Sequence, residues 1–192
     1  MMVIFMNRRS QGAGLIHCSR SMSDHHARSF PPIAAPDARL LILGSMPGLA
    51  SLAAGQYYAH PRNAFWPIMG ALLDFSPGLD YPARVAALRQ AGVAVWDVLY
   101  SCQRQGSLDS AIEDDSLVAN DLAGFLAAQP AIRHVFFNGA KAEHCFRRHI
   151  ELALPEREIV FRRLPSTSPA HAGRSFEQKL AAWRAVADAL AG

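Results

Sequence analysis

Four short apolar runs recur along the chain and predict the strands of one sheet. They are residues 39–43, 93–99, 132–138 and 158–164. Glycine, proline or polar residues bound each run, and the apolar character within a run is nearly continuous. Such runs are typical of strands that are covered on both faces of a parallel sheet.

Segments with helical spacing of apolar residues lie between and after these strands. The predicted helices are residues 63–73, 82–90, 116–127, 140–150 and 175–190. In the last of them Phe176, Leu180 and Trp183 recur three or four residues apart. Because strand and helix alternate, we predict an α/β fold, a three-layer α/β/α sandwich with a central four-stranded parallel sheet.

The first 37 residues have a different pattern from the rest of the chain. They are rich in Ser, Arg, His and Pro, and the apolar stretch at residues 1–5 is too short for a signal peptide. We expect residues 1–37 to be a disordered N-terminal tail and residues 38–192 to form a single domain. No run approaches the ~18 apolar residues that a membrane-spanning helix needs.

Charge and cysteine content narrow the class of protein. The formal net charge of +3 permits a polyanionic partner without requiring one. Cys18, Cys102 and Cys145 are widely spaced and form no Cys-x-x-Cys pair. We therefore expect no disulfide framework and no zinc or iron–sulfur site, and this use of cysteine fits a reducing cytoplasm.

Polar clusters fall in the loops that follow the predicted strands. Because the carboxyl ends of parallel strands meet at one edge of a sheet, these loops are expected to frame a single cleft. The first loop begins with the turn Gly44-Ser45-Met46-Pro47-Gly48. Its glycines would let backbone amides approach a phosphate or a base edge, although a plain strand-to-helix turn would look the same. The turn lacks the P-loop lysine and the dinucleotide glycine spacing, so ATP and NAD are not expected.

Two aromatic rings and an amide follow that turn. Tyr57, Tyr58 and Asn63 offer ring faces and a donor–acceptor pair, and His60 adds a polar contact. A ring beside an amide is what a pocket needs to hold an extruded nucleobase. The alternatives are that Asn63 caps the helix that begins there and that Tyr58 is only a rim aromatic.

Asn138, at the end of the third apolar run, has two interpretations. An asparagine before glycine often only tolerates a left-handed turn, but its amide can also pair with the edge of a base. Asp97, inside the second run, would be costly to bury without hydrogen bonds. We favour a structural role for it, organising residues 106–110.

The last loop combines hydroxyls, prolines and basic groups. Between and after two prolines it carries Ser166, Thr167, Ser168, His171 and Arg174. A rigid loop of this composition favours a clamp on backbone phosphates over a simple helix cap.

Four blocks together resemble the uracil-DNA glycosylase superfamily, and the closest branch is that of the hypoxanthine (deoxyinosine) DNA glycosylases. The resemblance runs from about residue 39 to the C-terminus. It rests on Gly44-Ser45-Met46-Pro47-Gly48, Tyr57-Tyr58-Ala59-His60-Pro61-Arg62-Asn63-Ala64-Phe65-Trp66, Phe137-Asn138-Gly139 and Leu164-Pro165-Ser166-Thr167-Ser168-Pro169.

The resemblance implies a monomeric enzyme that flips a deaminated nucleotide out of duplex DNA and hydrolyses its N-glycosidic bond. It implies no metal or other cofactor. Asn63 and Asn138 match two asparagines that are important for activity, and Tyr58 matches the aromatic that stacks on the base. The remaining expected contacts are with the base (Gly44, Ser45, Met46, Pro47, Gly48 and Tyr57) and with DNA (Ser166, Thr167, Ser168, His171, Arg174 and His60).

The chain departs from the resemblance in its first turn. Uracil enzymes of the mismatch type place a water-positioning asparagine there, and the canonical uracil enzymes an aspartate, where this chain has Ser45-Met46. Asn63 would then have to orient the water, while Asn138 and backbone amides stabilise the departing base. The expected substrate is hypoxanthine in deoxyinosine, with uracil or xanthine as minor substrates.

Three other functions remain as alternatives. A general or mismatch-type uracil-DNA glycosylase is the nearest of them, and a non-catalytic nucleic-acid or nucleotide-binding module is another. A hydrolase triad of Ser45 or Ser168 with a histidine and Asp97 is disfavoured, because the Gly-x-Ser-x-Gly elbow is absent.

Overall fold

The structure is a computed structural model that describes residues 26–104, 106, 108, 114–150 and 157–192. Its helices and strands alternate along most of that length. In chain order they are β1 (His26–Arg28), β2 (Leu40–Gly44), α1 (Leu49–Ala54), α2 (Phe65–Leu73), α3 (Tyr81–Gln90), β3 (Val93–Asp97), β4 (Leu99–Gln103), β5 (Val118–Ala119), α4 (Leu122–Ala128), β6 (His134–Asn138), α5 (Ala140–His149), β7 (Val160–Leu164) and α6 (Phe176–Ala191).

Four parallel strands in the order β3-β2-β6-β7 form the main sheet. Gly44 at the end of β2 pairs with Asp97 at the end of β3, and Asn138 at the end of β6 pairs with Leu164 at the end of β7. The strands therefore end in register at one edge. The loops that follow them start from a common line, which is where the polar clusters of the sequence lie.

Alternating side chains of β2 enter two separate cores. Leu41 and Leu43 pack in a cluster with residues of α4 and α5, whereas Leu40 and Ile42 pack in a cluster with residues of α2, α3 and α6. All five residues of β2 are buried. Burying a Leu or Ile side chain contributes about 1.5–3 kcal/mol, so both helix layers are needed to cover this strand. The predicted three-layer α/β/α sandwich is confirmed.

The predicted strand over residues 93–99 divides in two. β3 ends at Asp97, and the chain continues as β4 in a second, three-stranded antiparallel sheet of order β1-β4-β5. At the junction the Val98 N–H donates to the Gly44 carbonyl at 2.9 Å, and the Leu99 N–H donates to the Ser45 carbonyl at 3.1 Å. These bonds hold the junction against the first turn of the cleft.

The helix predicted over residues 116–127 begins later. Residues Asp114–Ser116 form a 3₁₀ turn, β5 pairs with β4, and α4 starts only at Leu122. Asp121 sets this start because its side chain accepts the Gly124 N–H at 2.9 Å. The other four predicted helices lie within about two residues of their predicted bounds, whereas α1 was not predicted. α6 begins with a capping box between Ser175 and Gln178.

The expectation of disorder up to residue 37 is wrong for residues 26–37. β1 pairs with β4, and Ile33 exchanges backbone hydrogen bonds of 2.9 and 2.8 Å with Val95 on the outer edge of β3. Ala27 and Ile33 are both buried. The segment packs on the domain because it covers an otherwise open sheet edge and buries these two side chains. Residues 1–25 lie outside the described residues.

Candidate active site

A cavity of about 430 Å³ opens at the edge where the four parallel strands end. That volume is within the ~300–1,000 Å³ typical of small-molecule sites. The loops after β2, β6 and β7 all contribute to it. The predicted site residues that line it are Gly44, Ser45, Met46, Pro47, Gly48, Tyr57, Tyr58, His60, Asn63, Asn138, Ser166, Thr167, Ser168 and His171.

One predicted DNA-binding residue lies elsewhere, and several lining residues were not predicted. Arg174 lines an adjoining groove and not the cavity itself. Asp97 is the addition that brings a carboxyl group to the cavity. The sequence analysis had favoured a structural role for it. The other additions are Ala50, Ser51, Leu108, Gly139, Ala140, Pro169 and Ala170.

Asn138 is held in the cavity by two hydrogen bonds to one residue. Its Nδ2 donates to Thr167 Oγ1 at 2.9 Å, and its Oδ1 accepts the Thr167 backbone N–H at 2.8 Å. A backbone N–H can only donate, so the amide oxygen must face it and the amide cannot be flipped. The second Nδ2 hydrogen consequently has a fixed direction. This clasp joins the end of β6 to the loop after β7.

Thr167 also contacts the segment that carries Asn63. The Thr167 carbonyl accepts the Ala64 N–H at 3.0 Å. Asn63 Oδ1 in turn accepts the Phe65 N–H at 3.0 Å, two residues ahead, which is an Asx-type turn at the entrance to α2. The alternative that Asn63 is the N-cap residue does not hold, since α2 has Ala64 in that place. Thr167 thus bonds the Asn138 side chain and the backbone of Ala64, the residue that follows Asn63.

Tyr58 has an unusual backbone for a bulky residue. Its φ is 55°, in the left-handed region, where a side chain with a Cβ costs roughly 1–2 kcal/mol. Its ring stacks on Phe65 with centroids 3.9 Å apart and planes 22° apart. Strain of this kind persists where the surroundings fix a side chain for a purpose, and it is frequent at ligand sites. Tyr58 is therefore a firmly held ring in the cavity wall.

Asp97 contributes a buried carboxyl group to the lining of the cavity. The residue is only 3% exposed. A Cβ added to Gly44 would collide with Asp97 Oδ1 and would lie 3.3 Å from Tyr58 Oη. Glycine at position 44 thus makes room for the carboxylate beside the tyrosine hydroxyl. The signal in the sequence was a carboxylate at the end of a buried strand. Ser107, Asp109 and Ser110, which we expected Asp97 to organise, lie outside the described residues.

Tyr57 contributes its ring to the cavity wall and its polar atoms to the fold. Its hydroxyl lies 3.2 Å from the Phe30 carbonyl and 3.3 Å from the Pro31 carbonyl. Its backbone N–H donates to Tyr81 Oη at 3.0 Å. Burial raises the pKa of Tyr57 far above its ordinary value, so the hydroxyl stays protonated. Tyr57 ties the N-terminal segment to the site.

The first turn and the last loop are both fixed from outside the cavity. Arg104, itself buried, donates to the Pro47 carbonyl at 2.6 Å. Trp183 Nε1 donates to the Pro165 carbonyl at 2.9 Å, and Lys179 Nζ lies 3.5 Å from the Ser168 carbonyl. Burial lowers the pKa of Lys179 below its ordinary value. Both walls of the cavity are therefore braced before any ligand arrives.

Other features of the described residues bear on the class of site. They contain no group of three His, Cys, Asp or Glu side chains gathered as metal ligands. No helix among them is long and apolar enough to cross a membrane. The cavity is lined instead by two side-chain amides, a carboxyl group, hydroxyls, two histidine side chains and two tyrosine rings.

A cavity at the carboxyl ends of the parallel strands is where open α/β sheets bind their ligands, and comparison with known proteins identifies the family. The family model described as "Uracil DNA glycosylase superfamily" matches residues 31–190. The chain belongs to the uracil DNA glycosylase superfamily, as the four sequence blocks predicted.

Individual relatives agree with this assignment. Proteins named hypoxanthine DNA glycosylase from Methanosarcina barkeri and Methanosarcina acetivorans are 34% and 35% identical to this chain over 116 residues, which is 60% of this chain and 72% of theirs. A solution NMR structure from Methanosarcina acetivorans, described as a candidate uracil DNA glycosylase, is 30% identical. It superposes with a TM-score of 0.73 over 87% of this chain and 99% of that one. Family and relatives together support a DNA glycosylase.

Proposed function

We propose that this protein removes hypoxanthine from deoxyinosine in duplex DNA by hydrolysing the N-glycosidic bond, with uracil and xanthine as secondary substrates. The observation that carries the proposal is that Asn63 and Asn138 line one cavity, where Thr167 bonds the Asn138 side chain and the backbone of Ala64 next to Asn63. The names of the two Methanosarcina relatives support the choice of hypoxanthine. The protein would act as a monomer, in the cytoplasm and without a metal.

The base would enter the cavity beside Tyr58. One face of this ring packs on Phe65, so the opposite face is the one that a flipped base would stack on. Extruding a nucleotide from a duplex costs a few kcal/mol, and less where its pairing is already weak. Hypoxanthine and uracil in mismatched pairs would therefore be favoured over normal bases before any contact is made.

Deamination changes the edge of the base in a way that the cavity can read. Hypoxanthine presents an N1–H donor next to a carbonyl oxygen, whereas adenine presents an N1 acceptor next to an amino group. An ionised Asp97 only accepts, and the second Nδ2 hydrogen of Asn138 only donates. This pair complements the N–H and carbonyl of hypoxanthine. Uracil and xanthine carry the same N–H and carbonyl sequence, which is why both are secondary candidates. Guanine and thymine carry it too, so this pair of groups separates hypoxanthine from adenine, and the exclusion of other normal bases rests on their stronger pairing in the duplex.

The catalytic step follows from what amides can and cannot do. Asn63 has no basic group, so it can orient a water molecule but cannot deprotonate it. Because the proposal assigns the Asp97 carboxylate to the base edge, bond breaking runs ahead of water attack, with the sugar cation stabilised by neighbouring DNA phosphates. The departing base gains negative charge, and a preorganised donor such as Asn138 is worth about 3 kcal/mol at that point.

The test uses labelled duplexes that contain inosine, uracil or xanthine at one position. The duplexes are incubated with the protein and then heated in alkali, which cleaves abasic sites. We expect cutting at inosine first, and Asn63→Ala or Asn138→Ala should remove most of it while the fold remains. Failure to cut any of the three duplexes would overturn the proposal.

A uracil-specific enzyme is the second candidate function. The description of the NMR neighbour as a candidate uracil DNA glycosylase favours it. The absence of an aspartate or asparagine in Gly44-Ser45-Met46-Pro47-Gly48 speaks against it. The same assay decides between them, because faster cutting at uracil than at inosine would reverse the order proposed here.

A further inference from the structure

A second groove of about 520 Å³ adjoins the cavity on the side of β7. The two share a wall made of Gly139, Ala140, Ser166 and His171. The groove is thus continuous with the cavity mouth. It continues past the loop after β7 towards α6.

Arginines dominate the charged lining of this groove. Arg162, Arg163 and Arg174 line it, and no carboxylate is found among its described lining residues. All three arginines are exposed. Of these three arginines, the sequence analysis named only Arg174 as a DNA contact.

The three arginines differ in how far their charge is already balanced. Arg163 Nη1 lies 3.3 Å from Glu143 Oε2, and its side chain is 58% exposed. Glu143 is shared with Arg147, whose Nη2 lies 3.1 Å from Oε1. One carboxylate thus faces two guanidinium groups. Among the described residues, the groove therefore keeps a net positive charge even where Arg163 meets Glu143.

We propose that this groove binds backbone phosphates of the same DNA strand that carries the flipped nucleotide. The inference rests on the proposed function and adds the path of the strand. A nucleotide in the cavity is covalently joined to its neighbours, so its strand must leave the mouth along one of the adjoining surfaces. The groove is such a surface, and guanidinium groups bind phosphate through two parallel hydrogen bonds.

Two exposed arginines far from the cavity supply the matched control. Arg89 lies in the last turn of α3 and Arg133 precedes β6, so both lie at the edge where the parallel strands begin. Both are exposed. The double variants Arg162→Gln/Arg174→Gln and Arg89→Gln/Arg133→Gln remove the same charge from opposite edges of the sheet.

The experiment measures affinity for an undamaged duplex as a function of salt. Each phosphate contact contributes about 0.9 to the slope of log affinity against log salt. For Arg162→Gln/Arg174→Gln we expect a slope shallower by about 2 than that of the intact protein, and for Arg89→Gln/Arg133→Gln an unchanged slope. The double lysine variant Arg162→Lys/Arg174→Lys should keep the slope, since its charge is retained.

Two results would overturn the inference. One is equal slopes for the two double glutamine variants, and the other is a larger loss for Arg89→Gln/Arg133→Gln. Both are read on undamaged DNA, so they stand apart from the proposed function, whose failure is the absence of cutting at damaged bases. Circular dichroism of each variant confirms that it is folded before its slope is used.

Discussion

Thr167→Val removes the hydroxyl that accepts a hydrogen bond from Asn138 Nδ2. The carbonyl of the same residue bonds the Ala64 N–H, next to Asn63. Valine keeps the branched shape of threonine, so the packing around this side chain, which is 1% exposed, should be preserved. The bond from Asn138 Nδ2 to Oγ1 at 2.9 Å is lost. The bond of 2.8 Å from the Thr167 N–H to Asn138 Oδ1 remains, because it comes from the backbone.

The expected size of the effect follows from this burial. Water cannot readily replace the lost hydroxyl, and a buried donor without its partner costs about 1–3 kcal/mol. In a protein of this size each kcal/mol lowers the Tm by about 2–4 °C. The amide of Asn138 also gains freedom to rotate about its remaining bond. If half of a donor worth about 3 kcal/mol is lost in the transition state, cutting slows roughly tenfold.

The assay combines thermal unfolding with single-turnover cutting of an inosine duplex. Thr167→Ser is the matched control, because it keeps the hydroxyl and should stay close to the wild type in cutting rate. A Thr167→Val protein that unfolds and cuts like the wild type would refute the clasp. A lower Tm with an unchanged cutting rate would show that Thr167 stabilises the fold without positioning Asn138.

Four further predictions concern the walls of the cavity. Gly44→Ala should lower the free energy of unfolding by about 1–3 kcal/mol in urea denaturation, because the added methyl meets a carboxylate; wild-type stability would mean that Asp97 moves aside at no cost. Asp97→Asn should slow cutting of inosine duplexes while affinity for undamaged DNA is kept, and equal cutting rates would exclude Asp97 from base recognition. Tyr58→Ala should weaken binding of a damaged duplex by about 1–3 kcal/mol, the value of one base-stacking contact, whereas Tyr58→Phe should not; equal binding by both would rule out stacking. The pKa of Lys179 is lower in the folded protein than in the unfolded chain. The free energy of unfolding should therefore rise as the pH increases towards the ordinary lysine pKa of about 10.4, because the unfolded chain binds more protons in that range. Lys179→Met should remove that rise in urea denaturation as a function of pH.

The parts of the fold that sequence predicts are those with a strong local signal. β2 is a continuous apolar run and β6 has three apolar residues between His134 and Asn138, and such runs are recognisable without any partner. β5 is two residues long and has no periodicity of its own, so only its pairing with β4 defines it. The order of residues 26–37 was not predicted for the same reason, since Ile33 is held by backbone hydrogen bonds to a strand about sixty residues away.

The candidate site shows the same division. The loops after the strands were predicted to meet because parallel strands share a carboxyl edge, and the cavity lies at that edge. The sequence could not give the contacts between loops. Asn138 and Thr167 are 29 residues apart, and neither residue type predicts contact with the other. The closeness of Asp97 to Gly44 depends on the register of β2 and β3, which no local pattern fixes.

The most direct test of the central claim is chromatographic detection of the free base released from a deoxyinosine duplex. The claim is that the cavity between Asn63 and Asn138 takes up a flipped, deaminated nucleotide and breaks its glycosidic bond. We predict release of free hypoxanthine by the wild type, and little or none by Asn138→Ala under conditions where that variant still binds the duplex. Release at the wild-type rate from Asn138→Ala, or no released base with the wild type, would contradict the account.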